Sequence, residues 1–191
     1  MGFFDFLNFS PQASDAAGSV SVQFADDCDQ VQSIAGDYLE DNLARFEDVF
    51  ASEIFAAVNE RRSRIGLRRM ERVDYMNESA QGHNLYMHRT NDFSHANFDG
   101  SDLSRGRSLL LRGFVKVAEN IAAGEIYPQQ LLNAQNRGVL VNEKIVDGWM
   151  NSAGHRVNIE MPSFTHSGMA ALIRPTENGL PLFFVTQIFA N

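Results

Sequence analysis

Apolar residues spaced about one helical turn apart predict that helices form most of this chain. The longest such run covers residues 29–64 and predicts two helices or one bent helix. A second run covers residues 74–89, and its apolar stripe includes His83, which is therefore expected to be a core histidine with one satisfied nitrogen. Shorter helices are expected just before Gly113 and over residues 128–137, where a proline begins the element.

Three apolar runs predict strands instead. Residues 114–123 predict a buried strand that contains Glu119. A carboxylate in an apolar run is costly unless it is paired, protonated or bound to a cation, so Glu119 needs a partner. Residues 168–174 and 182–189 are two further apolar runs, and Asn178-Gly179 between them is a strong turn signal. These two runs therefore predict a β-hairpin.

The only tryptophan, Trp149, lies near the end of a helical pattern over residues 139–151. Gly154 is expected to close this helix in the left-handed conformation and to place His155 just beyond its carbonyl end, where positive charge is favoured. An imidazole in such a position suits chemistry near neutral pH. His95 likewise follows a predicted helix in a loop. Taken alone, the stretch around His155 is more often a capped helix end than a site.

Composition and charge narrow the classes of function. The chain has 191 residues and a formal net charge of −8, and its first 60 residues hold twelve acidic residues and one arginine, which gives −11 there and +3 for the remainder. No strongly basic face is therefore expected, and nucleic acid is not an expected partner. Cys28 is the only cysteine, so no intrachain disulfide can form. No apolar window is long enough to be a transmembrane segment.

Residues 1–45 are expected to form an N-terminal extension of aromatic tail, linker and helix, ahead of a domain over residues 46–191. The tail lacks the basic start of a secretory signal peptide. Its aromatic side chains are expected to be buried, either on the protein's own domain or on a partner. These side chains are the four phenylalanines Phe3, Phe4, Phe6 and Phe9.

Several separate motifs occur in a fixed order along the rest of the chain. They are Asn59-Glu-Arg61 with Gly66-Leu67, Phe93-Ser94-His95, Asp99-Gly100, Glu119-Asn120-Ile121-Ala122, Trp149-Met-Asn-Ser-Ala-Gly154-His155-Arg156, and Phe164-Thr165 before a glycine. Their order and spacing closely resemble the bacterial branch of the CAP superfamily, whose SCP-like domains are related to the cysteine-rich secretory and plant pathogenesis-related proteins. The resemblance covers roughly residues 50–190.

The resemblance implies an α+β fold, an α-β-α sandwich in which a small antiparallel sheet lies between helices. It also implies that His95, Glu119 and His155 converge on one cleft, as the expected catalytic residues and the expected ligands of a divalent metal, zinc above others. Eukaryotic members carry a second glutamate where this chain has a serine. Five further residues are expected to support the cleft: Asn120, Trp149, Asn151, Ser152 and Arg156.

Three functions remain open on this sequence. The first is hydrolysis of a cell-envelope polymer outside the cytoplasm, with Glu119 as general acid or base and the two histidines as metal ligands or proton carriers. Glycoside hydrolysis usually needs a second carboxylate, and the sequence does not choose among Asp92, Asp99 and Asp147. The second function is a non-catalytic module that binds a lipid or a partner protein. The third is a component of an exported assembly that docks through the aromatic tail.

The resemblance also carries an expectation about location. Family members are mostly secreted, so the protein is expected in the extracellular or periplasmic space. Because the first residues do not form a recognisable signal peptide, this location requires a non-standard export route, and the alternative is the cytoplasm.

Overall fold

The computed structural model describes residues 24–96, 105–176 and 179–191, with side chains from residue 42 onward. The chain divides into two units, residues 1–43 and 44–191. The elements below belong to the second unit, apart from the first part of the first helix. The predicted aromatic tail (Phe3, Phe4, Phe6 and Phe9) and Asp99 lie outside the described residues, and the extension over residues 1–45 stays a prediction.

Helices and strands alternate irregularly along the chain. The helices are α1 (Phe24–Arg64), α2 (Asp74–Thr90), α3 (Arg105–Leu110), α4 (Pro128–Leu132), α5 (Ala134–Val139), a π-helical segment (Leu140–Val146), α6 (Asp147–Asn151) and α7 (Ala153–Glu160). The strands are β1 (Glu71–Arg72), β2 (Val117–Glu125), β3 (His166–Arg174) and β4 (Leu182–Ala190). None of the helices in the described part of the chain combines the length and the apolar character that crossing a membrane requires.

The four strands form one sheet in the order β1-β3-β4-β2. Both β2 and β3 run antiparallel to β4, and β1 adds two residues parallel to β3. The three long strands are therefore antiparallel, as expected, and the short β1 makes the whole sheet mixed. The predicted β-hairpin is confirmed as β3 and β4, and the α+β fold class is confirmed with it.

One face of the sheet is covered by α2. Met76 and Ala80 of this helix form an apolar cluster with Ala170 of β3 and Ile188 of β4. The predicted apolar stripe of α2 is confirmed, because its members from Met76 to Met87 are buried. This packing fixes α2, and therefore the loop that follows it, against the middle of the sheet.

The other face is covered by α1, whose Phe50 ring meets the Phe183 ring edge-on at 5.7 Å. Arg62, near the end of the same helix, is completely buried. Its guanidinium donates hydrogen bonds to four backbone carbonyls, those of Arg68, Ile159, Met161 and Phe164. Arg62 therefore connects the end of α1 to the loop that follows it, to the last turn of α7 and to the segment between α7 and β3.

Several predicted boundaries differ from the structure. The long helical run is one continuous helix, consistent with the absence of proline from it. The single helix predicted over residues 128–137 is wrong, because Asn133 is extended and its side chain caps the start of α5. The strand predicted at residues 114–123 begins later, at Val117, since the backbone still turns around Gly113.

Candidate functional site

Glu119 lies on β2 with its side chain 1 % exposed, and Arg105 at the start of α3 is its main partner. Arg105 Nη2 donates to both carboxylate oxygens, at 2.9 Å and 2.7 Å, and Arg105 Nε donates to Oε2 at 3.2 Å. His95 Nδ1 lies 3.0 Å from Oε1. Both carboxylate oxygens are therefore engaged by Arg105, and Oε1 also contacts His95. The partner that the sequence required for Glu119 is therefore an arginine together with a histidine.

His95 lies in the loop after α2, as predicted, and this loop begins at the left-handed Asn91. Because an ionised carboxylate only accepts hydrogen bonds, the contact with Glu119 places the ring proton of His95 on Nδ1. The lone pair of a neutral His95 then lies on Nε2. The side chain is 48 % exposed, so the ring is held at one nitrogen and is accessible to solvent. Such a ring is oriented for use as a base or as a metal ligand.

His155 lies across from His95, with the two ring centroids 6.2 Å apart. The prediction that Gly154 closes a helix is wrong, because Gly154 belongs to α7 and the chain breaks at the extended Ser152 instead. His155 thus occupies the first turn of a new helix, where the free N–H groups disfavour a cation. Burial, and then the neighbouring His95, lower the pKa of His155 below its usual value of 6.5. His155 is therefore neutral at pH 7.

His83 of α2 lies beneath the cleft. It is buried, as predicted, and its Nε2 lies 2.9 Å from the carbonyl oxygen of Ser94, next to His95 in the chain. The same Nε2 is 3.8 Å from Glu119 Oε1, while Nδ1 has no hydrogen-bond partner among the described residues. Burial is the largest cause that lowers the pKa of His83, and the Glu119 carboxylate opposes it. A neutral His83 thus holds the loop that carries His95.

Asn120 provides the connection between β2 and α7. Its Nδ2 donates to the His155 carbonyl oxygen at 3.1 Å, and its Oδ1 accepts from Asn158 Nδ2 at 2.9 Å. Trp149 is buried, and its ring N–H donates to the Ile121 carbonyl oxygen at 2.9 Å. Both predicted support residues therefore attach the segment around His155 to the strand that carries Glu119.

The other predicted support residues contribute less. Ser152 acts through its backbone, which accepts the Arg156 N–H at 2.8 Å. Asn151 and Arg156 are exposed, and within the described residues neither side chain is hydrogen-bonded to the cleft. Asp147, one candidate for a second carboxylate, pairs with Arg61 of α1. Asp92, another candidate, accepts a hydrogen bond from Ser94 Oγ at 2.9 Å.

The geometry limits how the cleft can hold a metal ion. Within residues 24–96, 105–176 and 179–191, no group of three or more histidine, cysteine, aspartate or glutamate side chains is arranged to hold one. Glu119 is paired with Arg105 and contacts His95, so it fits the role of a group that orients His95 better than the role of a ligand. The imidazoles of His95 and His155 remain as possible donors. The side chains that face each other across the cleft are therefore two histidines, with ring centroids 6.2 Å apart.

Sequence reasoning missed two residues of this site. Arg105 gave no signal of its own, since it lies 14 residues before Glu119 and only the tertiary fold joins them. The sequence indicated only that Glu119 needs a partner. It did not identify Arg105 as that partner. His83 was assigned to the core by its spacing, and nothing in the helical pattern places it under Glu119.

Comparison with known proteins agrees with the fold. The family model described as CAP, the cysteine-rich secretory protein family, matches residues 55–189. The uncharacterized protein YkwD of Bacillus subtilis strain 168 is 29 % identical over 121 residues, which cover 63 % of this chain and 41 % of that protein. The chain therefore spans well under two thirds of the length of this relative.

Two solved structures extend the comparison. An extracellular protein containing an SCP domain from Bacillus anthracis strain Ames superposes with a TM-score of 0.52 at 30 % identity, over 76 % of this chain and 41 % of that one. An outer surface protein of Borrelia burgdorferi superposes with a TM-score of 0.53 at 18 % identity, over 72 % of this chain and 88 % of that one. At 18 % identity, the second likeness concerns the fold alone.

Proposed function

Since the chain belongs to the CAP family of cysteine-rich secretory proteins, we propose that it acts outside the cytoplasm and binds a divalent cation, preferably zinc, between His95 and His155. The location is supported by the Bacillus anthracis relative, which is described as extracellular. The choice of zinc follows from the donors, because neutral imidazole suits zinc better than it suits calcium or magnesium.

One observation carries the proposal: His95 Nδ1 contacts a carboxylate that is also paired with Arg105. In metal sites a histidine ligand commonly donates its other ring N–H to a carboxylate, which fixes the tautomer and raises the basicity of the ligand. Glu119 is positioned for that role at 3.0 Å. The low pKa of His155 keeps the second imidazole neutral and able to donate its lone pair.

Zinc titration calorimetry tests the proposal. The wild-type protein is expected to bind one zinc ion, and His95→Ala and His155→Ala are expected to abolish the binding. Glu119→Gln is expected to weaken it about 10- to 100-fold, because it perturbs the orientation of a ligand without removing one. His88→Ala is the matched control, since His88 is exposed on α2 outside the cleft. Equal binding by wild type and both cleft variants would reject the proposal.

A second candidate is hydrolysis of a cell-envelope polymer, and the His95–Glu119 contact is the observation that favours it. A histidine held at Nδ1 by a carboxylate and exposed at its other nitrogen can take a proton from water. His95 would therefore be the general base, and Glu119 would orient it. Because a bound zinc ion would use the same Nε2 lone pair, this candidate requires a His95 that is not coordinated to a cation.

Release of soluble fragments from purified envelope glycan or peptide tests the hydrolase candidate. Activity lost in His95→Ala and kept in His88→Ala would support it. Absence of release by the folded wild-type protein, both with and without zinc, would leave a non-catalytic module that binds a lipid or a partner protein. Docking through Phe3, Phe4, Phe6 and Phe9 stays a separate proposal, tested by deleting residues 2–10 and comparing co-purifying partners.

A further inference from the structure

The end of α3 and the turn that follows it, described together here as one turn, present apolar side chains to solvent. Val115 is 85 % exposed, Leu111 is 75 % exposed and Leu110 is 41 % exposed. Their neighbours point the other way, because Leu109 is buried and Phe114 packs against the cluster around Met76. The turn is thus anchored in the core by two side chains and projects three others outward.

The backbone of this turn is fixed by hydrogen bonds. Leu111 N–H donates to the Arg107 carbonyl at 2.9 Å, and Gly113, with φ of 98°, donates to the Leu110 carbonyl at 3.1 Å. Val115 N–H donates to the Asn191 carbonyl at 3.0 Å. The exposed leucine and valine therefore belong to an ordered turn, in which a glycine is needed for the left-handed conformation.

The same turn is basic, although the whole chain has a net charge of −8. Arg107, Arg112 and Lys116 are all exposed. The sequence has no acidic residue from 103 to 118. An anionic bilayer surface offers phosphate groups and, below them, an acyl boundary. The cationic side chains of the turn match the phosphate groups, and the projecting aliphatic side chains match the acyl boundary.

We propose that residues 107–116, named here the basic turn, dock the protein on an anionic lipid bilayer. Leu111 and Val115 would enter the acyl boundary, while Arg107, Arg112 and Lys116 would contact lipid phosphates. A protein partner fits less well, because protein interfaces are anchored mainly by tryptophan, tyrosine and arginine in pockets, and leucine and valine are under-represented there. This docking is independent of the histidine cleft and goes beyond the function proposed for it.

Vesicle sedimentation tests the proposal with the full chain. Wild type is expected to bind phosphatidylcholine vesicles that contain phosphatidylglycerol, to release them at high salt, and to bind pure phosphatidylcholine much more weakly. Arg107→Gln and Lys116→Gln are each expected to reduce the affinity about fivefold. The double variant Leu111→Ser/Val115→Ser is expected to reduce it at least about tenfold.

Leu132→Ser is the matched control, because Leu132 is 46 % exposed on α4, outside the basic turn, and its loss is expected to leave binding unchanged. His95→Ala is also expected to leave it unchanged, so that failure of the cation site and failure of the basic turn are distinguished. Each variant is first checked for an unchanged melting temperature. No binding to anionic vesicles, equal binding to neutral vesicles, or full binding by the double variant would overturn the proposal.

Discussion

Helix α2 lies very close to Gly168 of β3. A Cβ at this position would lie 2.3 Å from the carbonyl carbon of Met76 and 2.4 Å from its oxygen. Because these are backbone atoms, no side-chain rotation relieves the collision. Gly168→Ala must therefore separate α2 from β3, and α2 carries His83 and leads into the loop of His95.

Overpacking of a well-packed core costs about 1–3 kcal/mol, and occasionally more. A collision with backbone places Gly168→Ala at the upper end of this range, about 3 kcal/mol. For a domain of 150–250 residues each kcal/mol lowers the melting temperature by about 2–4 °C, so the expected decrease is about 6–12 °C.

Gly82→Ala is the matched control in the same helix. No atom outside the helix backbone lies within 4 Å of a Cβ there, and alanine is favoured over glycine in a helix interior by about 1 kcal/mol. Thermal unfolding followed by circular dichroism should therefore shift in opposite directions for the two substitutions. A Gly168→Ala protein as stable as wild type would refute the close packing of α2 on β3.

Three further changes probe the site and its support. Arg105→Ala is expected to cost about 3–5 kcal/mol in urea unfolding at pH 7, because it leaves the buried Glu119 carboxylate without its main partner. Arg62→Met is expected to cost about 3 kcal/mol, since four backbone carbonyls lose their donor. Below about pH 6.5 the unfolding free energy should fall, because the lowered pKa values of His83 and His155 let the unfolded chain bind more protons than the folded one.

Each of these expectations has an outcome that contradicts it. Arg156→Ala removes an exposed arginine and should lower the unfolding free energy by less than about 0.5 kcal/mol. If Arg105→Ala and Arg156→Ala lower it equally, Arg105 has no special role. If Arg62→Met is as stable as wild type, the four carbonyls find other hydrogen-bond donors, and the structural role given to Arg62 is wrong. For acidification, His83→Gln should reduce the loss of stability below about pH 6.5, and an unchanged pH profile would count against a buried neutral His83.

The sequence predicted the parts of the fold that depend on local patterning. Helical spacing located α2 and the face it buries, and two apolar runs around a turn signal located β3 and β4. The helix end at Asn151 agrees with the helical pattern predicted over residues 139–151, whereas the division at Asn133 departs from the single helix predicted over residues 128–137. Gly154 was read as a helix end, yet the extended Ser152 already interrupts the helix before it.

For the candidate site, the sequence identified residues but not their contacts. His95, Glu119 and His155 were named from motifs, and the structure brings them together. Arg105 could not be paired with Glu119 in advance, because strand and helix meet only in the tertiary fold. That arginine changes the chemistry, since a carboxylate paired with an arginine orients a histidine and leaves the free lone pair on the imidazole.

The location of a bound zinc ion tests the central claim most directly, and anomalous scattering from zinc-loaded crystals measures it. We expect an ion at about 2.0–2.1 Å from one ring nitrogen each of His95 and His155, with the Glu119 carboxylate still paired to Arg105. A Glu119 oxygen within about 2.2 Å of the ion, or no ion between the two histidines at saturating zinc, would contradict the account.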